Sequence, residues 1–245
     1  MGRAFEYRKA RKLKRWGNMS RTFTRIGKEI TIAVKAGGPD PSGNSRLRAL
    51  IANAKAENMP KATWMNAIKK ATESDAKDYK EVIYEGFAPN GIAVIVECAT
   101  DNTTRTVANL RNYFNKNGGT LGNSGTTIFM FSHKCYFHVK PKDGVTLDDL
   151  ELELIDCGAE DFDQDDEEII ISGPFEANGD IQKYLEDNGF EIASSELVYE
   201  PAEYKDLEGE AREQVDKLVE AVEEDEDVQN VFTNMREPDE EPAEE

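Results

Sequence analysis

The chain has 245 residues, of which 38% are apolar and 32% charged, and its formal net charge is −19. No run approaches the roughly 18 apolar residues of a membrane span, and the basic start of the chain lacks the apolar stretch of a secretory signal. The sequence therefore reads as a cytoplasmic protein with no membrane partner. Cys98, Cys135 and Cys157 are widely spaced and form no C-x-x-C pair, which argues against a disulfide scaffold or a zinc module.

The net charge conceals a sharp division. Residues 1–70 carry 17 Lys and Arg against four acids, a net +13, which leaves 13 basic and 45 acidic residues in the remainder. A split of this size marks a domain boundary, and its sign makes a polyanion the expected partner of the first part.

In chain order, residues 5–16 come first, with Arg8, Lys9, Arg11, Lys12, Lys14 and Arg15 in one eight-residue window. As a helix this segment would place like charges four apart, at 8/12 and 11/15. The expectation is an arm that frays alone and orders against an anion. Phe23, Ile26, Ile30 and Ala33 then recur at 3–4 spacing and predict a helix over 19–36, with Arg21, Arg25, Lys28 and Lys35 on another stripe. Gly37-Gly38-Pro39-Asp40-Pro41 ends it. A third helix is predicted over 42–57, with Leu47, Leu50, Ile51 and Ala54 inward and Arg46, Arg48 and Lys55 outside that stripe. A fourth runs from Pro60 to about Ala71 behind Trp64, Ala67, Ile68 and Ala71. Together these make a small basic bundle, domain 1–78, whose last residues, 72–78, read as a linker.

Beyond the linker the period changes from 3.6 to 2. Strands are predicted at 81–85, 92–98 and 128–132, with a helix over 103–117 capped by Gly118. A strand from Cys135 to Val139, a helix at 147–157, strands at 160–162 and 168–172, a helix at 176–188 and a strand at 190–194 follow. They spell β-α-β-β-α-β, one ferredoxin-like unit. A strand at 196–200, a helix at 208–223 and a strand at 228–233 complete a second such unit around it. The expected fold is therefore α+β and multidomain: the bundle, a discontinuous α+β domain (79–132 and 196–238), an acidic α+β domain inserted in it (133–195), and a disordered acidic tail (239–245).

Little in the chain suggests catalysis. His133 and His138 lie in strand-forming sequence with no nucleophile signature, and are expected to be ordinary packed histidines. The loop Gly118-Gly119-Thr120-Leu121-Gly122-Asn123-Ser124-Gly125 has no G-K-[ST] and precedes a strand, so a helix cap with a tight turn is preferred over a phosphate cradle. Asp161 to Asp166 imitates a calcium loop but places Asp166 and Ser172 where Gly and Glu are needed. The carboxylates between Asp148 and Glu168 read as a solvated face. No cofactor, metal or small-molecule substrate is expected.

Several motifs occur together in one order. They are Thr22-Phe23-Thr24-Arg25, Lys28-Glu29-Ile30, Gly38-Pro39-Asp40-Pro41 and Asn44-x-Arg46-Leu47-Arg48, then Asn58-Met59-Pro60-Lys61, Tyr84-Glu85-Gly86 and Thr100-Asp101-Asn102-x-x-Arg105-Thr106. Phe114-x-Lys116, Gly119-x-Leu121-Gly122 and Gly125 complete the set. In this order the chain resembles the YebC family, which includes the mitochondrial translational activator of cytochrome oxidase subunit one. It departs at Gly2-Arg3-Ala4-Phe5-Glu6, where many members have Gly-His-Ser-Lys-Trp, and at Gly125-Thr126-Thr127, where Gly-Ser-Val is usual.

The resemblance implies three domains and a non-enzymatic regulator of gene expression. Some members are described as DNA-binding transcriptional regulators and others as ribosome-associated translation factors. From charge alone, the expected phosphate-contacting residues are Arg8, Arg11, Lys12, Lys14, Arg15, Arg21, Arg25, Lys28, Lys35, Arg46, Arg48 and Lys55. A DNA-binding transcriptional regulator is the leading expectation, with a translation factor bound to ribosomal RNA as the alternative.

Overall fold

Apolar periodicity alone accounts for the helical bundle. In the structure, a computed structural model that describes residues 19–164 and 167–237, α1 (Met19–Gly37) lays Ile26, Ile30, Ala33 and Val34 against Leu47, Leu50 and Ala54 of α2 (Ser45–Ala56). Half-buried Trp64, Ala67 and Ile68 of α3 (Lys61–Ala71) close the core with Met59 and Ala71. The arm expected over 5–16 and the tail expected over 239–245 lie outside the described residues.

Helix α2 begins later than its periodicity predicts because two side chains intercept the backbone. Asp40 accepts from the Ser42 N–H at 3.0 Å and sets a single 3-10 turn, Pro41–Gly43. The buried Asn44 then accepts from the Leu47 N–H at 3.0 Å, while its Nδ2 donates to the Ala33 and Gly38 carbonyls at 2.8 and 2.9 Å. One side chain thus caps α2 and ties it to the end of α1, and such a cap contributes about 1 kcal/mol.

The remaining elements follow in order: β1 (Lys80–Ala88), β2 (Ile92–Thr100), α4 (Thr103–Lys116), β3 (Thr120–Leu121), β4 (Phe131–Val139), α5 (Leu147–Ile155), β5 (Asp161–Gln164), β6 (Ile169–Pro174), α6 (Asn178–Asp187), β7 (Ile192–Pro201), α7 (Gly209–Glu223) and β8 (Val228–Thr233). They form two four-stranded sheets, ordered β3-β1-β2-β8 and β5-β6-β4-β7. In the first, β8 pairs antiparallel with β2 from Val94↔Thr233 to Cys98↔Val228, and β3 pairs antiparallel with β1. Its core joins Val94, Val96 and Val228 to Leu110 and Phe114 of α4 and to Val215, Leu218 and Val222 of α7. In the second, β4 pairs antiparallel with β6 from Lys134↔Pro174 to Val139↔Ile169, and β5 with β6. Phe137, Val139 and Ile171 there face Leu150 and Leu154 of α5 and Ile181 and Leu185 of α6.

Two strand expectations are corrected. The strand expected at 128–132 is a 3-10 turn, Ile128–Met130, leading directly into β4. The strands expected at 190–194 and 196–200 are one strand, β7. The second sheet therefore has the β-α-β-β-α-β order, whereas the first is a β1–β2 hairpin flanked by the short β3 and by β8, not a second ferredoxin-like unit. The polar Ser194-Ser195-Glu196 looks like a break, but the Asn53 amide holds it extended. Asn53 Nδ2 donates to the Ser195 carbonyl at 2.7 Å and Oδ1 accepts from the Ser195 N–H at 2.8 Å. A side-chain amide thereby satisfies backbone groups on an edge strand, where they would otherwise be unpaired.

The chain divides into two compact units. One takes the chain up to Lys80 with 99–101 and 133–199, and the other takes 81–98, 102–132 and 200 onward. The bundle and the second sheet are thus parts of one unit. Among the described residues no helix is long and apolar enough to cross a membrane.

Candidate nucleic-acid interface

At 3.6 residues per turn, Arg21, Arg25, Lys28 and Lys35 fall within about 40° of one direction around α1, roughly opposite Ile26, Ile30, Ala33 and Val34. The apolar side is buried, so the basic stripe lies on the side of α1 away from the bundle core. Lys35 is exposed at its end and binds the Ala76 carbonyl at 2.7 Å and Asp78, which fastens residues 76–78 to the bundle. Half-buried Lys28 donates to the Ala99 carbonyl at 3.2 Å, with its ammonium 5.2 Å from the Tyr79 ring centre. Arg21 and Arg25 are half-buried, and Arg46 and Lys55 are exposed on opposite flanks of α2. Arg8, Arg11, Lys12, Lys14 and Arg15 lie outside the described residues.

Arg48 is revised. Its Nε and Nη2 donate to the two carboxylate oxygens of Glu186 on α6 at 2.9 and 2.7 Å, and its Nη1 donates to the Pro41 and Ser42 carbonyls. The Glu186 hydrogen bonds hold the guanidinium charged, raising its pKa, and the same bonds lower that of Glu186. Gln182 adds a bond to Glu186 at 2.9 Å and another to the Ser45 carbonyl at 3.1 Å. The α2 face bearing Arg48 is therefore packed on the second sheet's helix, and its fork geometry is used on a carboxylate rather than a phosphate. Charge counting could not separate Arg48 from Arg46, because the carboxylate partner of Arg48, Glu186, lies far away in sequence. It also passed over Lys69 and Lys70, exposed in the last turn of α3, where their charges suit the helix dipole. The doubled lysine on the polar side of a basic helix was the available signal.

In the other unit, the shared motifs shape backbone. Glu85 on β1 is buried to 4% exposure, and its carboxylate accepts N–H groups from Gly125, Thr127 and Ile128 at 2.7, 2.6 and 2.7 Å. Burial alone would raise its pKa, but the bonds from these backbone amides outweigh it and the net shift is downward. The Glu85 carbonyl also accepts from Gly122, so this one residue fixes both ends of the loop. Next to it, a Cβ on Gly86 would lie 2.6 Å from the Thr120 carbonyl oxygen and 2.7 Å from the Phe114 ring. Tyr84-Glu85-Gly86 and the glycines at 119, 122 and 125 are parts of one clasp. The loop carries Phe129, which is 76% exposed.

Asn102 caps α4, accepting from the Arg105 N–H at 3.0 Å. Arg105 pairs with the buried Asp227 at 2.7 Å, and Thr106 donates to the same carboxylate at 2.9 Å. This basic motif residue also serves the fold.

His138 is buried, with Nδ1 2.8 Å from Glu168, and His133 is stacked between Phe175 and Tyr199 at 4.2 and 4.4 Å. Burial lifts the Cys135 thiol to about 11 and also raises Cys157, so neither is poised as a thiolate at neutral pH. Among the described residues no group of three or more His, Cys, Asp or Glu is placed to hold a metal ion.

These elements define a protein with a cationic three-helix N-terminal bundle followed by two four-stranded α+β sheets. The chain belongs to the TACO1/YebC family: residues 3–74 match its N-terminal domain and residues 79–235 its second and third domains. It is similar to proteins named probable transcriptional regulatory protein in Parabacteroides distasonis (61% identical, covering 98% of this chain and 99% of the relative) and Porphyromonas gingivalis (62%, covering 97% and 98%). Among solved structures it resembles a conserved hypothetical protein, Aq1575, from Aquifex aeolicus. That protein is 37% identical, with a TM-score of 0.72 over 92% of this chain and 93% of that one.

Proposed function

We propose that this protein is a non-enzymatic, cytoplasmic, nucleic-acid-binding regulator of gene expression, and that its bundle grips backbone phosphates. The observation that carries the reading is the basic stripe of α1, turned away from the buried core of a bundle that is net positive in a strongly acidic chain. Arg21, Arg25, Lys28, Lys35, Arg46 and Lys55 supply the contacts, joined by Arg8, Arg11, Lys12, Lys14 and Arg15 of the arm and by Lys69 and Lys70. Such contacts position the protein without reading base sequence. The names of the relatives favour transcription as the process, and DNA is the partner that process would supply.

A second reading, a translation factor on ribosomal RNA, is favoured by the charge outside the bundle. The 45 acidic against 13 basic residues after position 70 oppose naked duplex but suit a surface where RNA alternates with basic proteins.

Salt titration of binding tests the shared claim. With about six phosphates neutralised, log K falls against log[salt] with a slope near −5, and Arg21→Ala with Arg25→Ala reduces the slope by about 2. Affinity indifferent to salt refutes the proposal. Gradient fractionation of lysate separates the two readings. Co-migration with ribosomal subunits that survives DNase and is lost with RNase supports translation, whereas light fractions with DNA retained in a parallel pull-down support transcription.

A further inference from the structure

The longest interval without charge beyond the bundle coincides with the clasped loop. From Gly118 to Ser132 there is no Asp, Glu, Lys or Arg, although the chain as a whole is 32% charged. This interval carries Phe129, the most exposed of the large apolar side chains among the described residues.

The ring is presented from a fixed backbone. Thr127 and Ile128, immediately before it, donate their N–H groups to Glu85 at 2.6 and 2.7 Å. Immediately after it, Met130 donates to the Thr127 carbonyl at 2.9 Å, and the Met130 carbonyl accepts from the Ala202 N–H at 2.9 Å. Thr127 is fully buried, and its hydroxyl reaches the Val94 carbonyl at 3.2 Å. Every residue next to Phe129 is anchored while the aromatic side chain itself stays in water. Ordering the backbone beforehand lowers the cost of any contact the ring makes.

We infer that Phe129 stacks on an unpaired base of single-stranded nucleic acid, a contact separate from those of the phosphate-binding bundle. This rests on the nucleic-acid reading above and adds the strand type. An aromatic ring recognises any base through its π-face, and this requires no charge. With the Glu85 carboxylate buried and bound to three backbone amides, the stretch from Gly118 to Ser132 presents no carboxylate of its own to repel phosphate in an otherwise acidic unit. Exposed Asn123 and Ser124 on the same loop bring neutral hydrogen-bonding groups that suit base edges. A basic protein partner would instead be drawn to the acidic surfaces, which this loop lacks. In a closed duplex both faces of each internal base are already stacked, so the ring has nothing to join.

The test uses the full chain and two probes, a mixed-sequence single-stranded RNA and a blunt-ended duplex of two complementary strands, measured by fluorescence anisotropy. Phe129→Ala weakens single-strand binding roughly 5–150-fold, the range for loss of one stacked base. It leaves duplex affinity within about twofold, and it leaves the salt slope unchanged because no phosphate contact is removed. Phe129→Trp retains single-strand affinity, and its indole emission is quenched on binding. Unchanged single-strand affinity in Phe129→Ala, or an equal loss on both probes, overturns the inference while leaving the nucleic-acid reading intact. The unchanged case would make the ring a protein contact. Failure of the unsubstituted chain to bind either probe overturns both.

Discussion

Replacing Glu85 with Gln tests whether a buried carboxylate holds the 122–130 loop. One carboxylate oxygen accepts from Gly125 and the other from Thr127 and Ile128, so all three donors need an acceptor. Gln supplies one oxygen and one NH2 group. The better orientation keeps the oxygen on Thr127 and Ile128 and turns a donor toward the Gly125 N–H. One buried donor is then unsatisfied, at about 1–3 kcal/mol, and two bonds lose their charge assistance, so the total is about 2–4 kcal/mol.

With an m-value near 2 kcal/mol/M, the urea midpoint of the unit falls by about 1–2 M. Hydrogen exchange is the sharper assay, because the amides of Gly125, Thr127 and Ile128 should exchange roughly 30-fold faster or more. The difference also depends on pH. Because the folded pKa of Glu85 lies below its ordinary 4.5, its contribution is complete above that value and is lost as pH falls through the lowered one. The gap between Glu85 and Glu85→Gln should therefore close in acid. Unchanged protection of the three amides near neutral pH would refute the reasoning.

Arg48→Ala and Glu186→Gln should show a coupling of about 1 kcal/mol in a double-mutant cycle of thermal unfolding, since the side chains are 35% and 29% exposed and partly screened. Simple additivity would deny the clamp. Arg48→Ala should also leave the salt slope of nucleic-acid binding unchanged, unlike substitutions at Arg21 and Arg25. Gly86→Ala should cost about 2–3 kcal/mol in urea unfolding, because its new methyl meets the Thr120 carbonyl oxygen and the Phe114 ring. Gly27→Ala, in the interior of α1 with nothing within 4 Å of the added methyl, should instead stabilise by about 0.5–1 kcal/mol. Equal effects at the two glycines would contradict the packing described.

The helices were legible because their apolar spacing is local: Ile26-x3-Ile30 and Leu47-x2-Leu50 announce a buried stripe whatever lies opposite. The errors came where a distant side chain decides the outcome. Asn53 turns Ser194-Ser195-Glu196 into the middle of a strand from more than a hundred residues away, and Glu85 takes the Ile128 amide, with those of Gly125 and Thr127, at the start of the strand expected at 128–132. The candidate site divides in the same way. Its sign was visible in the composition of the first 70 residues, but Arg48 could be told from its neighbours only once Glu186 was brought beside it.

The pairing of β2 with β8 has a consequence for how the protein is made. The partner of Val94–Cys98 is supplied by Val228–Thr233, so roughly 130 residues leave the ribosome between the two strands. At about 5–20 residues per second this interval lasts roughly 6–26 s. All four strands of the second sheet emerge within it, free to pair in order of synthesis, while one edge of β2 waits uncovered. That edge bears Val94, Ile95 and Val96, a sequence suited to pairing with a neighbouring nascent chain. A message truncated shortly before codon 228 would leave that edge open permanently, because β8 is the strand that covers it.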